Sequence, residues 1–399
     1  MTFKMNFRKI VDYAVSEFAR NSFLVFIING LFLCAGIISA RVMTLPERGF
    51  AAIFVAITGI VSYVLDLGIT NAIFISTAQL KSIPKFFLTF WYYSLFSLVS
   101  SVISCSLLSF YFTEVSPSII AAVCVFNLSS IIFRHSGARV TGSGSLEVYN
   151  WVRIVQTLAW LVSLLWILPK HPSSFSFIWC YVASWVLGAI LISICRKPRV
   201  IEDTISNLAF FKIGISSFFS NQNAIDGLKL DQVAAAREPN MAAVAAVINS
   251  VTAQAKTVPL AIFPILSQRI HAKTPSSDRN LSKYVFLSPI SVILIIPFVI
   301  YFFPKLMGTQ YAGYDLSILF YLLAGATSVA RLLISEKLRA IEKNVGIVYS
   351  EMIGILVFAS LYVSGFMATI SRLSLAVLIT QISVLIGLLF SVYLGGKGD

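Results

Sequence analysis

Residues 41–80 read RVMTLPERGFAAIFVAITGIVSYVLDLGITNAIFISTAQL. A charged turn (Arg41, Pro46, Glu47, Arg48) leads into an apolar run from Phe50, which holds a single acid, Asp66, before a polar and basic exit through Gln79, Lys81 and Lys85. The stretch from Arg237 to Arg269 repeats that order. Its turn is Arg237, Glu238, Pro239, its apolar run starts at Met241, its inner charge is Lys256, and its exit is Gln268 and Arg269. Ala72, Ile73, Phe74 and Gln79 set over Ala261, Ile262, Phe263 and Gln268 without a gap, as do Arg139, Val148 and Tyr149 over Arg339, Val348 and Tyr349. The common order points to a tandem duplication.

Hydrophobic residues make up 58% of the 399 residues and charged residues 12%, more apolar surface than a soluble fold of this length covers. The composition is that of an all-α polytopic membrane protein. A helix needs about 20 apolar residues to cross the bilayer. Twelve runs meet that need: 22–41, 50–72, 86–112, 117–134, 151–169, 175–195, 209–230, 241–266, 284–304, 314–333, 345–364 and 371–393. Placing the N-terminus in the cytoplasm puts 22 of the 30 Lys and Arg residues in cytoplasmic segments, seven on the other face and Lys256 within a span. This bias is the positive-inside pattern and places both termini in the cytoplasm. Six spans per half make the halves parallel repeats around a central cleft. The expected divisions are an amphipathic surface segment at 1–20, a six-helix lobe at 21–195, a cytoplasmic linker at 196–208, a second six-helix lobe at 209–394 and a tail at 395–399.

Charge inside a span costs about 2.5–3.5 kcal/mol on insertion scales, so Asp66 and Lys256 are expected to face the protein interior. Each sits on a polar stripe at helical spacing: Gly59, Ser62, Tyr63, Asp66 and Thr70 in the second span, Asn249, Thr252 and Lys256 in the eighth. The stripes are expected to line the cleft. The alternatives are that Lys256 snorkels to the near face and that Asp66 pairs with Lys256 or a loop base to hold helices together. Ser216, Ser220, Asn223 and Asp226 make the seventh span the most polar, suited to a watery cavity and a sugar, or to interhelical hydrogen bonds. Pro259 with Pro264, and Pro289 with Pro297, are expected to kink the eighth and ninth spans, and Gly59 and Gly68 to loosen the second.

Arg134, Arg139, Arg331 and Arg339 form two matched cytoplasmic loop patches able to attract a diphosphate or lipid head groups. Arg41, Arg48, Lys229 and Arg237 form an outer rim. His135, His171 and His271 read as loop residues without a role, and the five cysteines stand singly, suggesting neither a disulfide frame nor a metal site. No cofactor is expected. The basic residues are dispersed between apolar runs, a topology signal and not a nucleic-acid surface.

Leu45 to Phe50, then Leu65-Asp66-Leu67-Gly68-Ile69 with Asn71-Ala72, and Leu260 to Gln268, make the chain similar to the Wzx-type flippases of the multidrug/oligosaccharidyl-lipid/polysaccharide (MOP) exporter superfamily. The turn Ala236 to Asn240 departs from that pattern. The resemblance implies a bacterial inner-membrane flippase. Its cargo is an undecaprenyl-diphosphate-linked oligosaccharide for O-antigen, lipopolysaccharide or capsule, moved by alternating access. A proton or sodium gradient is the implied coupling ion, and the pathway's polymerase and chain-length proteins are implied partners. A drug or metabolite antiporter of the same superfamily is the alternative. A membrane enzyme of polysaccharide assembly is disfavoured, because acids on the outer side are few (Glu47, Glu114, Asp231, Glu238, Asp315).

Overall fold

In hydrocarbon each backbone N–H and C=O must be bonded within its own segment, so long apolar runs fold as helices. The computed structural model describes residues 7–78, 83–112, 115–195, 206–221, 230–261, 289–340 and 344–395. In chain order the helices are α1 (Phe7–Val42), α2 (Leu45–Asp66), α3 (Ile69–Ala78), α4 (Phe90–Leu108), α5 (Pro117–Gly142), α6 (Leu146–Ile167) and α7 (Ser174–Ile194). Then come α8 (Asn207–Asn221), α9 (Leu230–Ala235), α10 (Pro239–Ala261), α11 (Ile296–Met307), α12 (Asp315–Ala340), α13 (Asn344–Val363) and α14 (Ile370–Gly395). Nine helices among the described residues are long and apolar enough to cross a membrane. The seventh, eighth and ninth expected spans run partly through residues outside the described set.

Helix starts are written in side chains that satisfy otherwise unpaired N–H groups. Thr44, Thr89, Ser116 and Ser173 each accept the N–H three residues on, opening α2, α4, α5 and α7. One sequence boundary is corrected and one is extended. The second span is not one helix: α2 ends at Asp66, Leu67 (φ 46°) and Gly68 (φ 76°) take left-handed conformations, and α3 starts at Ile69. α1 runs unbroken from Phe7 to Val42, so residues 7–20 continue the helix of the first span. In the ninth span helix 289–294 stops at Ile295 and Pro297 lies in the first turn of α11, a break where the prolines predicted a kink. Pro259 stays within α10, and Pro264 is outside the described residues.

α5 is the hub of the first half, packed on α2, α3, α4, α6 and α7, while α1 lies against α6. α12 has that place in the second half, packed on α10, α11, α13 and α14. The halves meet chiefly along α2 and α10, the helices of the two repeated sequence stretches, with α1 also against α10 and α11. Small buried residues on both helices, Ala51, Ala52 and Ala56 on α2 and Ala242, Ala243 and Ala245 on α10, let the backbones approach. One apolar cluster runs through the contact, from Ile53, Phe54, Ile57 and Val61 to Val244, Val247 and Ile248.

Candidate functional site

The helix break at Leu67 places Asp66 at the mouth of α3, where one carboxylate oxygen accepts the Thr70 N–H at 3.2 Å. The other oxygen meets His135 Nε2 at 2.9 Å. Both side chains are buried, His135 completely. An ionised carboxylate only accepts, so the geometry fixes the proton of the His135 ring on Nε2. His135 Nδ1 is buried without a hydrogen-bond partner among the described residues. Tyr92 stacks on the imidazole at 5.7 Å and 14°, and Tyr93 flanks it at 5.7 Å. Next to the pair, Arg134 donates to Ser62 Oγ, which lies 3.1 Å from Ser130 Oγ.

This arrangement corrects three readings. α5 continues to Gly142, so Arg134, His135 and Arg139 are helical residues facing the protein and not a loop. His135 has a partner in Asp66, where none was assigned. The polar stripe of α2 faces α5 inside its own lobe, because the face of α2 that meets α10 is small and apolar.

The second half turns its polar stripe inward as well. Asn249 donates to Asp231, whose carboxylate also accepts the Tyr321 hydroxyl at 3.1 Å. Asp231, read as an outer acid, is therefore buried in the lobe. Thr252 is buried and donates to the Ile248 carbonyl at 3.0 Å. It packs with the Lys256 stem against Gly325 of α12, where a Cβ would lie 2.8 Å from Thr252 Cγ2 and 3.5 Å from Lys256 Cδ. Asp66 and Lys256 thus serve separate lobes, and Asp66 pairs with His135 instead of Lys256.

Arg331, expected in a loop patch, is buried midway along α12, donating to Glu351 at 2.7 Å and to Gln381 at 2.5 Å. Sequence reading missed Glu351, though an acid inside an apolar run is the signal that marked Asp66. Glu351→Gln keeps the shape and removes the charge-assisted bond. It is expected to lower stability by about 2 kcal/mol, read as a lowered unfolding midpoint in detergent.

At the end of the molecule that carries the α1–α2 turn, the lobes are tied by side chains bonded to backbone carbonyls. Arg41 donates to Leu306 O at 2.8 Å and to Lys305 O, and Gln310 donates to Met43 O at 3.2 Å and to Ala40 O. Gly49 lies so close to Pro239 that a Cβ would overlap its carbonyl. Arg48 is buried here, 4.8 Å over the Phe177 ring. Its Nε and the buried Tyr311 hydroxyl lack hydrogen-bond partners among the described residues. Burial pushes the Tyr311 phenol above its ordinary value, and Arg48 pulls it down. Arg237 stacks on Tyr362 at 3.9 Å. Arg41 and Arg48 therefore sit where the two halves meet, and Arg237, near Tyr111 of the first half, does so too. The side chains of Ser216, Ser220 and Arg339, and the residues Asn223, Asp226 and Lys229, lie outside the described set.

No family model matches the chain, and no curated protein sequence does. The fold is similar to those of solved transporters. A lipid II flippase, MurJ, in an inward closed conformation superposes with a TM-score of 0.69 at 13% identity, over 94% of this chain and 87% of that one. An inward-facing multidrug resistance MATE family transporter of the MOP superfamily gives 0.64 at 11% identity, over 93% and 94%. A point mutant of the Vibrio cholerae MATE transporter VcmN gives 0.63 at 13% identity, over 96% and 98%. The fold is thus similar to those of a MATE transporter of the MOP superfamily, a second MATE transporter and a lipid II flippase. With nine apolar spanning helices among the described residues, the chain is a multi-pass membrane protein.

Proposed function

We propose that the chain is a flippase of the bacterial inner membrane, with both termini cytoplasmic, that moves an undecaprenyl-diphosphate-linked oligosaccharide by alternating access. The observation that carries this reading is the breakable seal between the lobes. Its bonds are two from the Arg41 guanidinium, worth at most about 1.5–3 kcal/mol each, and two neutral ones from Gln310, worth about 0.5–1.5 kcal/mol each, and each buried orphan donor offsets them by about 1–3 kcal/mol. Arg48 Nε and Tyr311 Oη, without hydrogen-bond partners among the described residues, keep the closed state shallow, and opening to water satisfies both. The fold shared with a lipid II flippase favours a lipid-linked cargo.

Asp66 and His135 suit ion coupling. His135 Nδ1 has no hydrogen-bond partner among the described residues, so an imidazole that donates from both nitrogens needs a rearranged site. Among the described residues, Tyr63, Tyr92, Tyr93 and Arg134 are titratable or charged groups around it. The fold likeness to MATE proteins supports a second reading, a drug antiporter. Proteoliposomes carrying a fluorescent polyprenyl-diphosphate oligosaccharide separate the two readings. Protein-dependent exposure of the label to a membrane-impermeant quencher is expected. Exposure equal to that in empty liposomes, with efflux of a cationic dye, would replace the flippase reading with the antiporter.

A further inference from the structure

We propose that the interior of the first lobe holds a binding site for one phosphorylated monosaccharide, separate from the contact between lobes. A cavity of about 290 Å³ lies among α1, α5, α6 and α7. Arg134 and Arg153 reach it, and no acidic side chain among the described residues lines it. Arg153 carries no carboxylate partner among the described residues, its guanidinium lying 5.9 Å from the centre of the Tyr149 ring. Trp160 is more than nine-tenths buried on the cavity wall, and its indole N–H has no acceptor among the described residues. Arg134 spends Nε on Ser130 O and one terminal nitrogen on Ser62 Oγ, so its remaining N–H groups, the Arg153 guanidinium and the unused indole N–H make the excess of donors over acceptors. That excess asks for an anion with several oxygens.

The rest of the wall sets the shape of the ligand. Rings follow one another around it in contact: Tyr149 with Phe133 (5.7 Å), Phe133 with Trp185 (5.4 Å), Trp185 with Tyr181 (6.1 Å), Tyr181 with Trp160 (5.6 Å), and Trp160 with Phe32 (5.6 Å). Such a wall offers flat apolar faces to a ring. Thr157 and Ser184 spend their hydroxyl protons on the carbonyls of Arg153 and Tyr181, which leaves their oxygens as acceptors for sugar hydroxyls. Gln156 lies across the space above Gly188, where a Cβ would come within 2.9 Å of its amide carbon. Small-molecule sites run from about 300 to 1,000 Å³, so this cavity takes one ring with its phosphate and excludes a whole oligosaccharide. A cation is repelled by the two arginines.

The choice of sugar among ring-bearing anions rests on the cargo reading above, while the preference for an anion rests on the cavity alone. Purified protein in phosphatidylcholine nanodiscs is to be tested by scintillation proximity with radiolabelled glucose 1-phosphate. Saturable binding is expected, displaced by unlabelled glucose 1-phosphate and not by glucose. Arg153→Gln is expected to weaken it about tenfold or more, and Trp160→Phe, which keeps the ring and removes the N–H, to weaken it less. Displacement of the free sugar phosphate by an added polyprenyl-phosphate sugar identifies the lipid-linked source. Persistence of binding in its presence identifies the free metabolite, and both outcomes keep the site. Equal displacement by glucose, or unchanged binding in both variants, would overturn it. Binding without flipping would sink the cargo reading and leave the site standing. Flipping without binding would do the reverse.

Discussion

Asp66→Asn is expected to abolish transport while the chain stays folded and inserted. The asparagine oxygen still accepts the Thr70 N–H, and its amide N–H donates to His135 Nε2 once the ring proton moves to Nδ1, so the cap of α3 and a hydrogen bond across to α5 survive. The lost element is the negative charge that balances Arg134 and any proton taken up by His135. Asp66→Ala removes the bonds as well, leaves His135 buried without its partner, and is expected to cost about 3 kcal/mol of stability. Transport in proteoliposomes and unfolding in detergent measure the two effects separately. Wild-type transport by the asparagine variant would show that the pair only holds helices together.

Gly49→Val is expected to push the lobes apart at the α1–α2 end. The atoms that the new side chain meets belong to the Pro239 backbone, which cannot swing aside as a flexible side chain would. Overpacking of this kind costs about 1–3 kcal/mol, charged only to the state in which α2 and α10 are in contact. The population with the seal closed should fall about tenfold, read as faster labelling of a cysteine at Gln310 by a water-soluble maleimide. Gly59, with nothing within 4 Å of its notional Cβ, supplies the control. Gly59→Ala should leave the labelling rate unchanged.

The spans were legible because hydrocarbon demands about 20 apolar residues per crossing, and most predicted runs coincide with a helix. Polar positions inside the lobes were harder to read. Arg134, His135 and Gly142 look like a loop in sequence, yet α5 carries them because neighbouring helices cover that face. Arg331 misled in the same way. The break after Asp66 was half visible through Gly68. Leu67 gave no sign, since a leucine rarely takes φ 46°. The repeat itself picked out α2 and α10, but not that these helices would meet face to face, which closed their small apolar sides and turned Asp66 and Lys256 into separate lobes. Hydrophobic periodicity says which face is polar, and only the packing says what that face meets.

Distances between spin labels at both ends of the molecule test alternating access most directly. One pair joins exposed positions at the α1–α2 end, Lys170→Cys with Ala312→Cys, and the other joins Ser143→Cys with Val345→Cys at the opposite end, with the five native cysteines replaced. In nanodiscs, across a range of pH, the first distance should lengthen in the same fraction of molecules in which the second shortens, and Gly49→Val should enlarge that fraction. Two distances that stay single and fixed under every condition would contradict a transporter that opens to each side in turn.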